Sequence, residues 1–481
     1  MNFFKGTKAL VMGLGLHGGG VATAKWLQKH GAKVTVTDKR DAQMLASSLK
    51  ALRGLPIQYM LGKHRHADFR TNDLIVVNPG VPRESEYLAT AARAGKRIEN
   101  DASLFFRFSH NPVIAITGTR GKTTTTLWAA SLLQKKYPET RSSGNTPDNA
   151  FLREFERVHN KDIPVVAEMS SWQLERLSAG GRGPHISVIT NLYPDHLNRY
   201  GGIRDYANAK ANIFAFQKSD DFLILNHDNV WTPYFLKKHP KSLLFFVSAK
   251  PLPKEVHGLF VRGGMLIFRF DGIEQKLFSV KRFVALRGAH NLENLMNAVL
   301  AVKLFDPTIL VSERDILRLP TPKMRQEEIF KKGKLVVVND STATSPDGTI
   351  AAIKRFSQLG HSMSKLVLIC GGTDKALEFG ELADVIKKHI PADRLILLEG
   401  SATAKLVKTL HMSKVKYSVS NTKKTLKECV DEAFLVAKKT KGKTTILFSP
   451  GAASFEKFLH EFDRGEKFNA LVAKQIKSGP S

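Results

Sequence analysis

The chain has 481 residues, 42% of them hydrophobic, which suits about three domains with real cores. Its two cysteines exclude a disulfide framework, and no apolar run reaches the ~18 residues that cross a bilayer. The formal charge of +29 favours anionic partners. Yet the basic residues are scattered in pairs such as Lys135-Lys136 and Lys438-Lys439, with no basic run interleaved with aromatics, so no specific nucleic-acid partner is expected.

The apolar start Ala9–Leu16 is broken by glycines and fits a first strand rather than a secretion signal, so a cytoplasmic protein is expected. Gly13, Gly15 and Gly18 form G-x-G-x-x-G after that strand. A helix pattern from Val21 to Lys29 and a second strand, Lys33–Thr37, follow, and Asp38 closes the strand. This is the fingerprint of a βαβ unit that binds a dinucleotide, and NAD and a UDP group both fit it. A further strand is Leu74–Val77, and Asn78-Pro79-Gly80-Val81-Pro82 is a rigid turn at its C-terminal end. The segment Phe105–Asn111 reads as a link.

Val113–Ile116 is a short buried strand, and Thr117-Gly118-Thr119-Arg120-Gly121-Lys122-Thr123-Thr124 follows it and opens a helix. Strand, glycine turn and helix N-terminus make an anion site from backbone N–H groups and the helix dipole. Lys122 adds a point charge, and the Thr123 hydroxyl can ligate Mg²⁺. The expected ligand is the triphosphate of ATP. Val165–Met169 is a strand carrying Glu168 near its end, where a carboxylate can complete a Mg²⁺ shell. Ile186–Thr190 leads to Asn191-Leu192-Tyr193-Pro194-Asp195-His196. Lys210 lies in a helix pattern over Tyr206–Phe216 and, on pattern alone, is an exposed lysine. Asn291 and Asn294 share one face of a later helix, suited to an adenine edge or to a cap.

Beyond the Pro-rich hinge Leu319-Pro320-Thr321-Pro322, strands at 334–339, 366–370, 394–398 and 444–448 alternate with helices, as in another parallel sheet. Their ends run into Gly-, Ser- and Thr-rich loops, the ligand edge of such a fold. Cys370 ends an apolar strand and reads as packing. The fold class is therefore α/β, in three domains over residues 1–110, 111–319 and 320–481.

Taken together, these loops resemble the Mur ligase family, ATP-dependent ligases that build the peptidoglycan stem peptide. The residues that carry the likeness are Thr117–Thr123, Glu168-Met169-Ser170-Ser171-Trp172-Gln173-Leu174-Glu175, Asn191–His196, Lys210, His290-Asn291-Leu292-Glu293-Asn294, Asn339-Asp340-Ser341 and Ser449-Pro450-Gly451-Ala452-Ala453-Ser454. The resemblance implies a Rossmann-like UDP-binding domain, a central P-loop ATPase-like domain and a C-terminal Rossmann-like domain. The implied reaction is the ATP-driven addition of D-glutamate to UDP-N-acetylmuramoyl-L-alanine through an acyl phosphate. Cell-wall synthesis, and with it cell shape and division, is the implied setting.

By the same resemblance, Lys122, Glu168, His196 and Lys210 carry catalysis. ATP is met by Gly118, Thr119, Arg120, Gly121, Lys122, Thr123, Thr124, Asn291, Arg325 and Asp340. Two Mg²⁺ ions fall to Thr123, Glu168, His196 and a carbamylated Lys210. The UDP substrate is met by Leu16, His17, Asp38, Lys39, Arg40, Gly80, Asn145, Ser170, Gln173 and His196. The amino acid falls to Thr344, Lys375, Ser454 and Phe455. A monomer with small-molecule substrates and no membrane partner is implied. Two positions depart from the family pattern: Thr342 stands where a lysine usually follows Asn-Asp-Ser, and Met324 where a histidine precedes the hinge arginine. Both fall in the third domain, so another amino acid, such as L-glutamate, is the alternative.

Overall fold

The computed structural model describes residues 2–16, 18–144, 150–177, 181–195, 199–358, 365–411 and 421–478. The chain divides into two compact units, Met1–Lys281 with Asn291–Leu319, and Arg282–His290 with Pro320–Ser481. The first unit holds two sheets and the second holds one.

The first sheet is five-stranded and parallel, built from β1 (Lys8–Met12), β2 (Lys33–Asp38), β3 (Ile57–Leu61), β4 (Leu74–Val77) and β5 (Arg97–Glu99) in the order β3-β2-β1-β4-β5. β1 is central, with Leu10 paired to Thr35 on one side and Ile75 on the other. Strand order reverses between β1 and β4, and at such a switch point α/β sheets bind ligands. The helix Gly19–Lys29 packs on β1 and β2. A Cβ at Gly20 would collide with the Gly13 and Leu14 carbonyls, so Gly20, outside the G-x-G-x-x-G triplet, is what brings helix and strand together.

The second sheet is nine-stranded: β6 (Val113–Thr117), β7 (Ser142–Gly144), β8 (Val165–Glu168), β9 (Ile186–Ile189), β10 (Phe222–Asn226), β11 (Leu243–Ser248), β12 (Gly258–Arg262), β13 (Met265–Phe270) and β14 (Ile273–Ser279). Their order is β14-β13-β12-β11-β10-β9-β6-β8-β7. β6, β8 and β9 are buried along their whole length, as uninterrupted apolar strands covered on both faces should be. The meander β12–β14 pairs antiparallel, and the exposed run Glu274–Lys276 on β14 blunts the sheet edge.

The second unit's sheet orders β15 (Glu327–Lys332), β16 (Leu335–Asn339), β17 (Lys365–Cys370), β18 (Leu395–Leu398), β19 (Thr422–Lys423) and β20 (Thr444–Phe448) as β15-β16-β20-β17-β18-β19. β15 runs antiparallel at one edge, where the pattern pointed to a purely parallel sheet. Alternate residues supply two cores, Val338, Leu368 and Leu447 on one face and Val337, Ile369 and Phe448 on the other. Cys370 is buried in the first of these, and burial raises its thiol pKa, which fits packing.

The segment read as a link is mostly a helix, Asp101–Phe108, whose Phe105 and Phe106 are core residues. Asn100 and Ser103 form its capping box, a signal hidden by the aromatic run behind it.

Candidate active site

β6 is flanked by β8 and β9, so the loops after all three leave one edge of the central sheet together. The glycine loop after β6 is stitched to the loop after β9. Thr119 N–H donates to Asn191 O (3.0 Å), Arg120 N–H to Asn191 Oδ1 (2.9 Å), and Thr190 Oγ1 to Arg120 O (2.7 Å). Arg120 also pairs with Asp195 at 2.8 Å. Gly121 caps the helix Lys122–Leu133 with φ 84°, and a Cβ there would strike Asn294 Oδ1. That close approach and left-handed backbone demand glycine. Asn294 in turn donates to Asn291 Oδ1 at 3.0 Å, so the paired amides back the loop.

Lys122 Nζ folds over this loop, donating to Gly118 O (3.1 Å) and Thr119 O (3.2 Å). Thr123 and Thr124 follow in the first helical turn, where backbone N–H groups lack intrahelical acceptors. Glu168 ends β8 and is 6% exposed. Lys210 is not the exposed lysine expected from the pattern, nor on an early turn. It ends the helix Ile203–Ala211 and is 1% exposed. Its Nζ donates to Gly118 O (2.8 Å) and Thr117 Oγ1 (3.3 Å) and lies over the Tyr206 ring at 4.5 Å. Burial, joined by the Lys122 and Arg120 charges, pulls its pKa well below the usual lysine value, against Asp195 and Glu168.

Among the described residues no group of three His, Cys, Asp or Glu side chains could hold a metal ion by itself. His196 lies outside the described residues, as do His17 and Asn145. A hydroxyl at Thr123 and a lone carboxylate at Glu168 fit Mg²⁺, which keeps waters and takes the rest of its shell from phosphates.

On the first sheet, Leu16, Asp38, Lys39, Arg40 and Gly80 come together at the ends of β1, β2 and β4. Asp38 is buried and accepts the N–H of Gly15 (3.1 Å) and of Arg40 (2.9 Å), so it shapes the glycine turn, while Lys39 and Arg40 are exposed. Gly80 N–H donates to Asn78 Oδ1 (3.1 Å). Ser170 caps the turn Ser171–Leu174, with Gln173 Oε1 accepting from the Ser170 N–H at 3.0 Å. Arg199 belongs to none of the motifs in the sequence. It stacks on Trp172 (4.7 Å), bonds Glu175 Oε2 (3.0 Å) and reaches Val81 O (3.2 Å), joining this block to the turn that carries Gly80. The trailing acid of Ser-Ser-Trp-Gln-Leu-Glu was its only signal.

In the second unit, Asp340 is buried at the end of β16 and accepts from Gln326 N–H (3.0 Å) and Ser449 Oγ (2.6 Å). Burial pushes its pKa up to about 7, against those hydrogen bonds and the charges of Arg325 and Arg355. Thr344, Lys375 and Ser454 sit on the loops after β16, β17 and β20, and Lys375 and Phe455 are exposed. Ser454 is buried, and its Oγ has no protein partner, which suits a hydroxyl waiting for a polar ligand.

Residues 7–99 match the Mur ligase MurD-like N-terminal domain, and residues 116–302 match the Mur ligase middle domain. A UDP-N-acetylmuramoylalanine–D-glutamate ligase from Roseiflexus sp. (strain RS-1) is 37% identical over 471 residues, covering 97% of this chain and 98% of that protein. The chain belongs to the Mur ligase family. Solved Mur ligases share its fold. The UDP-N-acetylmuramate-alanine ligase MurC of Thermotoga maritima gives a TM-score of 0.58 at 18% identity, over 98% of this chain and 100% of that one. A MurF ligase from Thermotoga maritima in complex with ADP gives 0.55 at 14%, over 98% of each.

In this Mur ligase the two departures from the family pattern are one feature. Thr342 Oγ1 donates to the Met324 carbonyl at 2.7 Å, and Met324 holds φ 57°. The threonine side chain is thus spent on the Met324 carbonyl, where a lysine would present a charge.

Proposed function

We propose that this chain is the ATP-dependent ligase that joins D-glutamate to UDP-N-acetylmuramoyl-L-alanine in cytoplasmic peptidoglycan precursor synthesis, serving cell shape and division. The observation that carries it is the convergence of Lys122, Glu168 and a buried, low-pKa Lys210 on one sheet edge, in a chain 37% identical to a ligase of that name. No helix among the described residues is long and apolar enough to cross a membrane. The working form is a monomer, and its domains are assigned to residues 1–110, 111–319 and 320–481.

The γ-phosphoryl of ATP passes to the terminal carboxylate of the UDP-linked substrate, giving an acyl phosphate and ADP. The amine of D-glutamate attacks the acyl carbon and loses a proton, and collapse of the tetrahedral adduct forms the amide and frees phosphate. Such chemistry rests on positioning and charge neutralisation. Backbone N–H groups of Gly118–Thr124 and the Lys122 ammonium hold the phosphates, with Asn291, Arg325 and Asp340 on the rest of the nucleotide. Thr123, Glu168, His196 and carbamylated Lys210 would hold two Mg²⁺ ions, which neutralise phosphate charge when bound. The neutral Lys210 amine is the form that adds CO₂, and the product carbamate exchanges a buried nitrogen base for anionic oxygens. Leu16, His17, Asp38, Lys39, Arg40, Gly80, Asn145, Ser170, Gln173 and His196 serve the UDP-sugar, and Thr344, Lys375, Ser454 and Phe455 the amino acid.

The test is phosphate release from ATP with UDP-N-acetylmuramoyl-L-alanine, Mg²⁺ and bicarbonate, across single D- and L-amino acids. Release that depends on D-glutamate is expected. Release with L-glutamate alone would move the specificity, and none with any amino acid would overturn the reading.

A further inference from the structure

The three loops that carry Thr344, Lys375 and Ser454 meet on one side chain that the proposed reaction does not use. Arg464 lies in the first turn of the C-terminal helix Glu461–Ser478 and is 0% exposed. Its Nη2 donates to Ser341 O (2.7 Å) and its Nε to Ser341 Oγ (3.2 Å), on the loop after β16. Its Nη1 donates to Ala452 O and Ala453 O (3.0 Å each), on the loop after β20. The Ala453 carbonyl also accepts Thr373 N–H at 3.0 Å, two residues before Lys375, and Gly372 lies against Arg464 Nη1 closely enough that a Cβ would touch it. One planar guanidinium therefore bonds two of the loops directly, and the third is tied to the Ala453 carbonyl that it holds.

We propose that Arg464 is the positioning residue of the amino-acid pocket, holding Thr344, Lys375 and Ser454 at fixed mutual distances. This rests on the reading of those three residues as the amino-acid site. A fully buried guanidinium is costly unless its donors are met, and carbonyls of two loops meet them here. The loops thus owe their placement to one group. The same helix reinforces the loop after β16: Ser341 Oγ donates to Glu461 O (2.7 Å), and Asn339 Nδ2 to Gly465 O (3.0 Å). Burial lowers the Arg464 pKa to about 10, which leaves it charged at neutral pH.

The experiment compares Arg464→Met and Arg464→Lys with the wild-type chain in steady-state kinetics, varying each substrate in turn. For Arg464→Met, KM for the amino acid is expected to rise roughly ten- to hundredfold through loop misplacement, with KM for ATP and for the UDP substrate little changed. Arg464→Lys keeps the charge but lacks the fork, so it should recover part of the loss. Amide hydrogen exchange supplies a readout without turnover. The amides of 341–344, 372–375 and 451–455 should exchange faster in either variant, while β17 and β20 stay protected. A fall in kcat with unchanged KM for the amino acid, or faster exchange across the whole unit, would overturn the proposal. If Arg464→Met does not fold, Arg464→Lys decides both readouts. A wild-type chain that releases no phosphate would defeat the functional reading, and loop exchange would still decide the role of Arg464.

Discussion

Two buried ionisable side chains, Lys210 and Asp340, stand where burial works against charge, and each makes the site's chemistry testable. Lys210→Ala removes the nitrogen that would carry a carbamate. Turnover should fall by roughly 100-fold or more, the scale of losing electrostatic support at a developing charge. Acetate or formate should restore part of it by placing oxygens in the vacated space, and the wild-type chain in ¹³C-bicarbonate should show a carbamate carbon by NMR. Full activity of the variant without added acid would remove the carbamate. Asp340 titrates near neutrality, with its native pKa of about 7 above the ordinary carboxylate value. The native chain therefore keeps a proton that the unfolded chain has released. The stability tied to that proton is complete below pH ~4, declines as pH climbs, and is lost as pH passes about 7, an effect on the order of a few kcal/mol. Asp101, raised to about 6, adds a slope of the same sign. Asp340→Asn should flatten the curve of denaturant midpoint against pH between 4 and 7, leaving the Asp101 part, and an unchanged slope would show that Asp340 is charged in the native state. Neither environment was legible in a local pattern. Lys210 sits among Ala209, Ala211 and Asn212 on what reads as a polar helix, and only the pairing of β6 with its neighbours puts Gly118 O beside it.

At the level of elements, legibility followed burial on both faces. β4 and β20 coincide with their apolar runs, and β6, β8 and β9 fall within a residue of theirs, because parallel strands covered on both sides leave unbroken hydrophobic stretches between turn residues. The glycine loop was equally plain, since its strand-before and helix-after context is local. What escaped were the half-exposed elements. β14 is exposed over Ile273-Glu274-Gln275-Lys276, and the pairing of β13 with its two neighbours depends on the tight connections at Gly263-Gly264 and Asp271-Gly272. β15, with Glu327, Lys331 and Lys332, is too charged to announce a strand and is admitted only as an antiparallel edge. The short helix over Asp101–Phe108 was lost for the opposite reason. It is buried continuously from Asp101 to Phe106, polar residues included, so its polar positions do not mark an exposed face.

Across the whole molecule, the proposed nucleotide contacts are divided between two compact units. Lys122, Thr123, Glu168, Lys210 and Asn291 belong to one, and Arg325 and Asp340 to the other. The main break falls between Leu319 and Pro320, in the Leu-Pro-Thr-Pro stretch read as a hinge, where two prolines restrict the backbone without building a helix or strand. The second unit also takes Arg282–His290, the segment just before Asn291, so the chain crosses from unit to unit three times, at Lys281/Arg282, His290/Asn291 and Leu319/Pro320. Within the second unit this segment is tied by Arg355 Nη2 to Leu286 O (3.3 Å) and by Arg287 Nη1 to Thr321 Oγ1. A rotation about the break must therefore also bend the chain between Lys281 and Asn291, where Gly288 with φ 85° supplies a residue tolerant of large backbone change. In the proposed reaction the nucleotide draws on residues of both units, so its binding is expected to change the dimensions of the full chain. Small-angle scattering of the full chain, with a non-hydrolysable ATP analogue and UDP-N-acetylmuramoyl-L-alanine added, is expected to show a changed radius of gyration. Replacing Gly288 with valine should oppose the change while leaving UDP-substrate binding intact, because a β-branched residue resists positive φ. Identical scattering with and without both ligands would mean that the units keep one arrangement throughout, and would remove the hinge from the mechanism.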